Sequence, residues 1–193
     1  MLEAASIAHV NVHRMTPESC QAMARYNLWM NAKVYASAAL LDDEERKRDR
    51  GAFFKSIHGT LNHIMVGDRV WLSRLTGVVA EAGFMAPGIR ALDQELFADF
   101  GELRAERAAT DAAIAAWASS VTPERLHEPL RYIRGGQWRE HPCWWAVMQL
   151  FNHQTHHRGQ ITTLLLQAGQ DPGSTDVLAM LLEEAQRAFS LSL

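Results

Sequence analysis

The sequence has few of the features that mark secreted, membrane-spanning or nucleic-acid-binding proteins. Only two of its 193 residues are cysteines, Cys20 and Cys143, which are too few for a disulfide framework. No apolar run approaches the roughly 20 residues of a membrane-spanning helix, and the first residues show no basic-then-apolar secretion signal. The formal charge is −3, with no obvious basic face for a nucleic acid. These absences predict a cytoplasmic protein that works without a membrane or a nucleic acid.

Several common catalytic motifs are missing as well. The sequence has no Gly-rich phosphate loop, no Gly-x-Ser-x-Gly elbow, no Cys-x-x-Cys and no His-Glu-x-x-His. It also lacks the pair of Glu-x-x-His motifs that a di-iron helical bundle would use. Nothing in the sequence therefore indicates nucleotide binding, serine-hydrolase chemistry or thioredoxin-like redox chemistry.

What the sequence does contain favours helix. Ala, Leu, Glu, Arg, Gln and Met are plentiful, and the apolar residues make up 48% of the chain. In one stretch, steps of three and four residues join the members of an apolar seam with a single polar member: Phe54, Ile57, Leu61, Ile64, Asp68, Trp71 and Leu75. We predict long helices over about Thr16–Leu41, Ala52–Leu75, Leu92–Ser120 and Pro142–Ala168, and a short last helix after Ser174 or Thr175.

Two segments between the predicted helices have their own signals. The charged run from Asp42 to Arg50 nearly balances its charges and indicates a solvated connection or a helix start. Arg134-Gly135-Gly136-Gln137 indicates a short hairpin with a Gly-Gly turn. The length suits one domain, residues 1–193. The pattern predicts an all-α fold: an antiparallel four-helix bundle with the hairpin before the fourth long helix and a short C-terminal helix.

The fourth predicted helix carries two histidines that are four residues apart. His153 and His157 therefore lie one turn apart on a largely apolar face that also carries Gln160. Burying these polar groups without partners would cost several kcal/mol, and a metal ion is a natural partner. His9 and His13 have the same spacing, but their segment shows no helix signal.

A third histidine completes a candidate metal site. Catalytic metal sites usually have three protein ligands and a bound water, so two imidazoles are not enough. His63 is the best candidate, because it lies at the edge of the apolar arc of the second helix, where a site can admit solvent or substrate. His58 projects toward the polar side of that helix and is expected at the surface. We predict one divalent metal ion held by His63, His153 and His157.

Other polar residues are candidates for supporting roles. Asp68, in the apolar seam, needs a partner; it could orient a ligating histidine, pair with an arginine or cap a loop. His156 projects about 60° from the direction of His153 and could donate a hydrogen bond or flank the site. Asp68 and His156 are therefore the predicted catalytic residues. Asn27 and Asn31 are expected to form hydrogen bonds between helices.

Three segments resemble motifs of the DinB/YfiT-like family of helical proteins. Residues 56–72 (SIHGTLNHIMVGDRVWL) resemble the second-helix motif, and residues 150–161 (LFNHQTHHRGQI) resemble the second motif of that family. Residues 26–31 (YNLWMN) are similar to its first-helix pattern. The resemblance spans nearly the whole chain.

This resemblance implies a four-helix bundle, often dimeric, whose metal is held by one histidine of the second helix and two of the fourth. Those roles fall on His63, His153 and His157. Relatives include S-transferases that use bacillithiol or mycothiol and the metal domain of a mycothiol-dependent maleylpyruvate isomerase, while many members have no assigned reaction. The expected partners are thus a small-molecule substrate, a low-molecular-weight thiol and a second copy of the chain.

Three functions fit such a site. The leading hypothesis is a metal-dependent thiol S-transferase acting on small electrophiles, because a dication stabilises the anion of a bound thiol. A metal-dependent hydrolase would use bound water at the same site. A non-catalytic metal-binding or stress-response bundle would have a closed fourth coordination position and no adjoining cavity. Zn²⁺ and Ni²⁺ are the expected metals, with Fe²⁺ and Mn²⁺ as alternatives.

Overall fold

The computed structural model describes residues 15–78 and 84–190, which contain seven helices and one two-stranded antiparallel sheet. In chain order, the elements are α1 (Pro17–Ala39), α2 (Asp43–Lys47), α3 (Ile57–Thr76), α4 (Phe100–Ser120), α5 (Pro123–His127), β1 (Pro129–Arg134), β2 (Gln137–Pro142), α6 (Cys143–Gln167) and α7 (Val177–Ser190). Within these two stretches, no helix combines the length and apolarity needed to cross a membrane. The predicted mostly helical fold with a small hairpin is confirmed.

Capping side chains decide where three of the long helices begin. Thr16 accepts a hydrogen bond from a backbone N–H in the first turn of α1, and the helix begins where predicted. Ser56 and Asp99 do the same for α3 and α4. These two helices therefore begin later than the predicted starts at Ala52 and Leu92, because the capping residues have extended backbones that end the preceding loops.

The charged segment after α1 forms a short helix of its own. α1 ends at Ala39, slightly before the predicted end at Leu41. Asp42 then caps α2 by accepting a hydrogen bond from the backbone N–H of Glu45. None of the residues in α2 is buried, so the segment is a solvated connection with one helical turn in it.

The hairpin lies where the sequence predicts it. β1 and β2 pair antiparallel, with Arg134 opposite Gln137. Gly135 and Gly136 have φ angles of 59° and 72°, the left-handed conformation that a two-residue hairpin turn requires and that glycine adopts without steric cost. β2 runs directly into α6, so the open end of the hairpin, where Pro129 pairs with Pro142, is held at the N-terminal end of that helix.

The four long helices pack through their apolar faces. α1 contacts α4 and α6, and α3 contacts the same two helices. Each long helix contributes fully buried side chains to one core, including Met30, Leu61, Leu103 and Leu165. This packing holds α3 and α6 side by side, and the candidate site lies between those two helices.

A set of buried polar side chains also crosses the helix interfaces. We call it the charge-paired network; its members are Asn27, Asn31, Asp68, Arg107, Asp111, Gln154 and Arg158. Arg107 forms ion pairs with both Asp68 and Asp111. Asn27 and Asn31 each donate a hydrogen bond to Asp111, at 3.0 and 2.9 Å. The expectation that these two amides bond between helices is confirmed.

Candidate metal centre

Three histidines from α3 and α6 bring their ring nitrogens together. The Nε2 atom of His63 lies 3.0 Å from Nε2 of His153 and 3.1 Å from Nε2 of His157. All three possible ligand atoms lie within 4.8 Å of one another. His63 and His157 are buried and His153 is half-buried. The structure thus brings together the three predicted ligands, which we call the histidine cluster.

The hydrogen bonds of the other ring nitrogens fix where the protons lie. Nδ1 of His63 is 2.7 Å from the carbonyl oxygen of Leu92, which can only accept, so this Nδ1 carries the proton. Nδ1 of His157 donates in the same way to Oε1 of Gln160, at 2.8 Å. A neutral imidazole has one proton, so the facing Nε2 atoms of both rings are lone pairs. They cannot form a hydrogen bond with each other.

Protonation of one imidazole, which would supply a hydrogen bond between the facing nitrogens, is unfavourable here. Desolvation, together with the neighbouring imidazoles, lowers the pKa of His153 to about 3. Burial likewise lowers the pKa of His157 to about 4 and lowers the pKa of His63. All three rings are therefore neutral at physiological pH, and their Nε2 atoms converge on a common point. Neutral imidazoles are a donor set that divalent transition metals bind.

The spacing of the ring nitrogens also suits a shared ion. Nitrogens that each lie about 2.1 Å from one ion are separated by roughly 3.0 to 3.4 Å, according to the angle between the bonds. The separations from His63 to His153 and His157, 3.0 and 3.1 Å, fall in that range. The cluster could therefore hold a divalent metal without rearrangement.

His153 is positioned by packing and not by a hydrogen bond. Its Nδ1 atom is buried without a partner among the described residues. The ring lies against the backbone of α3 at Gly67, where an added Cβ would come within 2.5 Å of Cε1 of His153. Only glycine leaves room for the ring at this point, so Gly67 is part of the site although it offers no ligand atom.

Phe54 forms one wall of the histidine cluster, a role that the sequence does not reveal. Its ring stacks on the imidazole of His63, with centroids 3.7 Å apart and planes 16° apart. It also meets the ring of His157 edge-on, at 5.6 Å. Helical periodicity placed Phe54 in the seam of the second helix. That extrapolation was wrong, because α3 begins only at Ile57.

Asp68 belongs to the charge-paired network and not to the histidine cluster. It forms an ion pair with Arg107 and accepts a hydrogen bond from Nε2 of Gln154 at 2.8 Å. This is the alternative in which the carboxylate pairs with an arginine; in the described part of the chain it bonds no histidine. The carbonyl of Leu92 and the amide of Gln160 orient the rings of His63 and His157 instead. A catalytic role for Asp68 stays a prediction.

The remaining histidines of these helices take different positions. His156 is exposed, meets the ring of His157 edge-on at 4.8 Å, and accepts a hydrogen bond from Gln160 at 3.3 Å. His156 therefore lies beside the site, and it shares the hydrogen-bond partner Gln160 with His157. His58 was expected at the surface, but only 2% of it is exposed and its Nε2 bonds the carbonyl of Phe97. The irregular segment before α4 covers this side of α3, which helical periodicity cannot show.

A cleft of about 450 Å³ reaches the histidine cluster. His63 and His153 line one part of it, and Trp71 and Trp145 line another. The turn of the hairpin also contributes, through Arg134. The cluster is thus accessible to a small molecule from this side.

Comparison with known proteins agrees with this description. The chain matches the DinB family over residues 13–188. It also resembles the crystal structure of a DinB-like protein from Bacillus cereus ATCC 10987, with 21% identity and a TM-score of 0.54, over 76% of this chain and 91% of that one. At that identity the likeness supports the fold alone. No curated protein matches the sequence significantly. Because the family match extends over most of the chain, the protein belongs to the DinB family.

Proposed function

We propose that this protein binds one divalent metal ion through His63, His153 and His157 and is a metal-dependent enzyme. The reaction that fits best is transfer of a thiol to a small electrophile. One observation carries the proposal: three neutral imidazoles direct their nitrogens to a common point at a cleft that a small molecule can enter. Zn²⁺ or Ni²⁺ suits this donor set, with Fe²⁺ and Mn²⁺ as alternatives.

The protein's own residues would do the following in such a reaction. The carbonyl of Leu92 and the amide of Gln160 keep the Nε2 lone pairs of His63 and His157 free for the ion. A bound divalent cation would act as a Lewis acid and lower the pKa of a thiol beside it. The apolar ring surfaces of Trp71 in the cleft reduce access of water to the reacting groups. The thiol would release its proton to solvent, its sulfur would form a bond to the electrophilic carbon, and the leaving group would depart with the electron pair of its broken bond to that carbon.

The two alternative functions differ from the proposed one in their substrate or in the access of small molecules to the metal. A hydrolase would use the same residues with water, so preference for a thiol over water distinguishes the two enzymes. A non-catalytic metal-binding bundle would need no adjoining cavity, and the cleft lined by His63 and His153 supports an enzyme over that alternative.

Metal content of two matched variants tests the proposal. His153→Ala should lose most of the metal found by elemental analysis of protein purified without added metal, while circular dichroism stays helical. His127→Ala, on α5 and outside the histidine cluster, is the control and should keep the parental metal content. Equal metal content in His153→Ala and the parent would remove the site from consideration. A screen of low-molecular-weight thiols against electrophiles then tests the reaction.

We also propose the arrangement of the whole chain as a single antiparallel four-helix-bundle domain of DinB type. The contacts of α1 and α3 with both α4 and α6 support it, as does the family match over residues 13–188.

A homodimer is proposed as the assembled form. Phe151 and Leu165, which lie away from the histidine face, are buried within the chain, but Met148 on α6 remains 50% exposed. Met148 and Trp144 border an apolar groove of about 730 Å³. Light scattering after size-exclusion chromatography should give twice the 21.7 kDa of the chain; a monomer would contradict this part of the proposal.

A further inference from the structure

The cleft beside the histidine cluster carries positive charge and no negative charge. Arg74, in the last turn of α3, and Arg134, at the end of β1, both line it. Among the described residues that line the cleft, none is an aspartate or a glutamate. The two guanidinium groups therefore face the cleft without a carboxylate to neutralise them.

Arg74 is held in place without an acidic partner. Its guanidinium lies 4.6 Å from the ring centroid of Trp71 and 4.2 Å from that of Tyr132. Desolvation lowers the pKa of Arg74, and the positive charge of Arg134 acts in the same direction. In the described part of the chain, Arg74 forms no ion pair. A half-buried cation stacked on two aromatic rings is a fixed cation, suited to a planar anion.

Arg134 differs from the other arginines of the hairpin. Arg131 pairs with Glu140 across the strands, and Arg139 donates a hydrogen bond to Gln137. Among the described residues, Arg134 has neither kind of partner. The hairpin thus leaves one of its three arginines unpaired, and that one lines the cleft.

Two rows of side chains connect the arginines with the histidine cluster. On α3, His63, Gly67 and Arg74 share one face; on α6, Trp145 and His153 share another. Eleven residues of helix separate His63 from Arg74, a rise of roughly 16 Å between their Cα atoms. Both side chains extend into the cleft, so a ligand that touches both ends needs a length on the order of 10 Å.

We propose that the thiol cosubstrate of this enzyme is an elongated molecule with an anionic group, such as a carboxylate, at the end remote from its sulfur. Its sulfur lies at the histidine cluster, its middle lies along Trp71 and Trp145, and its anionic group binds Arg74 and Arg134. The inference rests on the proposed function only for the position of the sulfur at the histidine cluster. The binding of the anionic group at the arginine end of the cleft is inferred from the contacts of Arg74 and Arg134.

Binding of matched probe thiols to the whole protein tests this inference. ω-Mercaptooctanoate has the required length, ω-mercaptooctanol lacks only the charge, and mercaptopropionate keeps the charge but is too short. Quenching of tryptophan fluorescence reports binding, since Trp71 and Trp145 line the cleft. The long acid should bind roughly tenfold more tightly than the alcohol, as expected for a charge-assisted contact. It should also bind more tightly than the short acid.

Variants then test whether Arg74 and Arg134 cause the preference for the long acid over the alcohol. Arg74→Gln and Arg134→Gln should each reduce the acid-to-alcohol ratio toward one, and Arg74→Lys should keep part of it. Arg139→Gln, on the same hairpin but outside the cleft, should leave the ratio unchanged. Circular dichroism and metal content confirm that each variant is folded, and a glutamine variant that fails either check is replaced by the methionine variant, which also lacks the charge.

The outcomes separate this inference from the proposed function. In metal-loaded protein, equal binding of acid and alcohol, or a ratio that Arg74→Gln and Arg134→Gln leave intact, would overturn the inference and leave the metal site standing. In protein treated with a chelator, both probes should bind more weakly while their ratio persists. If the purified protein holds no metal, the proposed function fails, and the same ratio in the metal-free protein still decides whether the arginine end exists.

Discussion

The histidine cluster and the charge-paired network both use helices α3 and α6, and the network extends to α1 and α4, but the two satisfy their polar groups differently. Gln154 and Arg158 of the network directly follow His153 and His157 of the cluster, so successive residues of α6 point into different regions. In the network, Arg107 forms ion pairs with two carboxylates, and the amides of Asn27 and Asn31 donate hydrogen bonds to Asp111. In the histidine cluster, the Nε2 lone pairs of His63 and His157 face each other.

This difference teaches how to distinguish a structural polar cluster from a binding site. Burying polar groups is costly unless they find partners. In the network, both carboxylates pair with a cation of the chain itself, although Oδ1 of Asp68 and Nε of Arg107 and Arg158 lack a hydrogen-bond partner among the described residues. In the cluster, the nitrogens of His63 and His157 face each other with no donor between them, while their outer nitrogens are bonded. A metal ion from outside the chain could accept these lone pairs, as the proposed function requires.

The largest expected loss of stability comes from a substitution that disrupts the charge-paired network and leaves the histidine cluster intact. Arg107→Met leaves Asp68 and Asp111 buried without their cation, so the free energy of unfolding should fall by about 3–5 kcal/mol. Urea denaturation followed by circular dichroism measures the change. Metal bound per folded chain should stay the same, because Arg107 contacts none of the ligands.

An exposed ion pair between the same helices provides the control. Arg69 of α3 and Glu106 of α4 pair at 2.5 Å but are partly exposed. Arg69→Met should therefore cost at most about 1 kcal/mol. Equal losses from Arg69→Met and Arg107→Met would show that the network is no more important than a surface pair.

Removal of the metal should cause the next largest loss of stability, and it should act on the histidine cluster alone. A ligand present at about 100 times its Kd stabilises the folded state by about 2.7 kcal/mol. A chelator should thus lower the melting temperature of the parent protein, which differential scanning calorimetry can measure. Arg107→Met should show the same loss, and His153→Ala should show none. A melting temperature that the chelator leaves unchanged in the parent would argue against a metal.

Substitution of two helical glycines tests how the ring of His153 is positioned. Gly67→Ala introduces a Cβ where the His153 ring lies, and metal affinity should fall about 10–100-fold, as for other changes that misplace a ligand. Gly159→Ala is the control, because a Cβ there meets nothing within 4 Å. It should leave metal affinity unchanged and raise stability by up to about 1 kcal/mol. Competition with a chromophoric chelator measures both affinities.

The smallest predicted effect concerns the orientation of His157. Gln160→Leu removes the acceptor of its Nδ1 proton, so metal affinity should fall about tenfold. Gln160→Glu keeps an acceptor and should bind metal at least as tightly as the parent. If Gln160→Leu binds metal like the parent protein, the hydrogen bond does not orient the ring.

The meeting of the three histidines could be predicted because they lie on regular helices. The spacing of His153 and His157 indicates a shared face, and helical periodicity places His63 near the boundary of the core. The hairpin could be predicted from its two glycines, which meet the backbone requirement of the turn. In each case, local geometry alone decides the position.

The groups that support the ligands could not be predicted, because irregular segments or remote helices supply them. The carbonyl of Leu92 and the ring of Phe54 come from stretches without periodicity. The choice of Arg107 as the partner of Asp68 depends on how α4 packs against α3, and the sequence left that choice open. Gly67 matters only through its closeness to His153 on another helix.

Anomalous diffraction from crystals of the protein purified without added metal tests the central claim most directly. Data collected on both sides of the absorption edge of the metal found by elemental analysis should show one peak per chain, within about 2.1 Å of Nε2 of His63, His153 and His157. A His63 ring turned away from the other two, with no anomalous peak between them, would contradict the account.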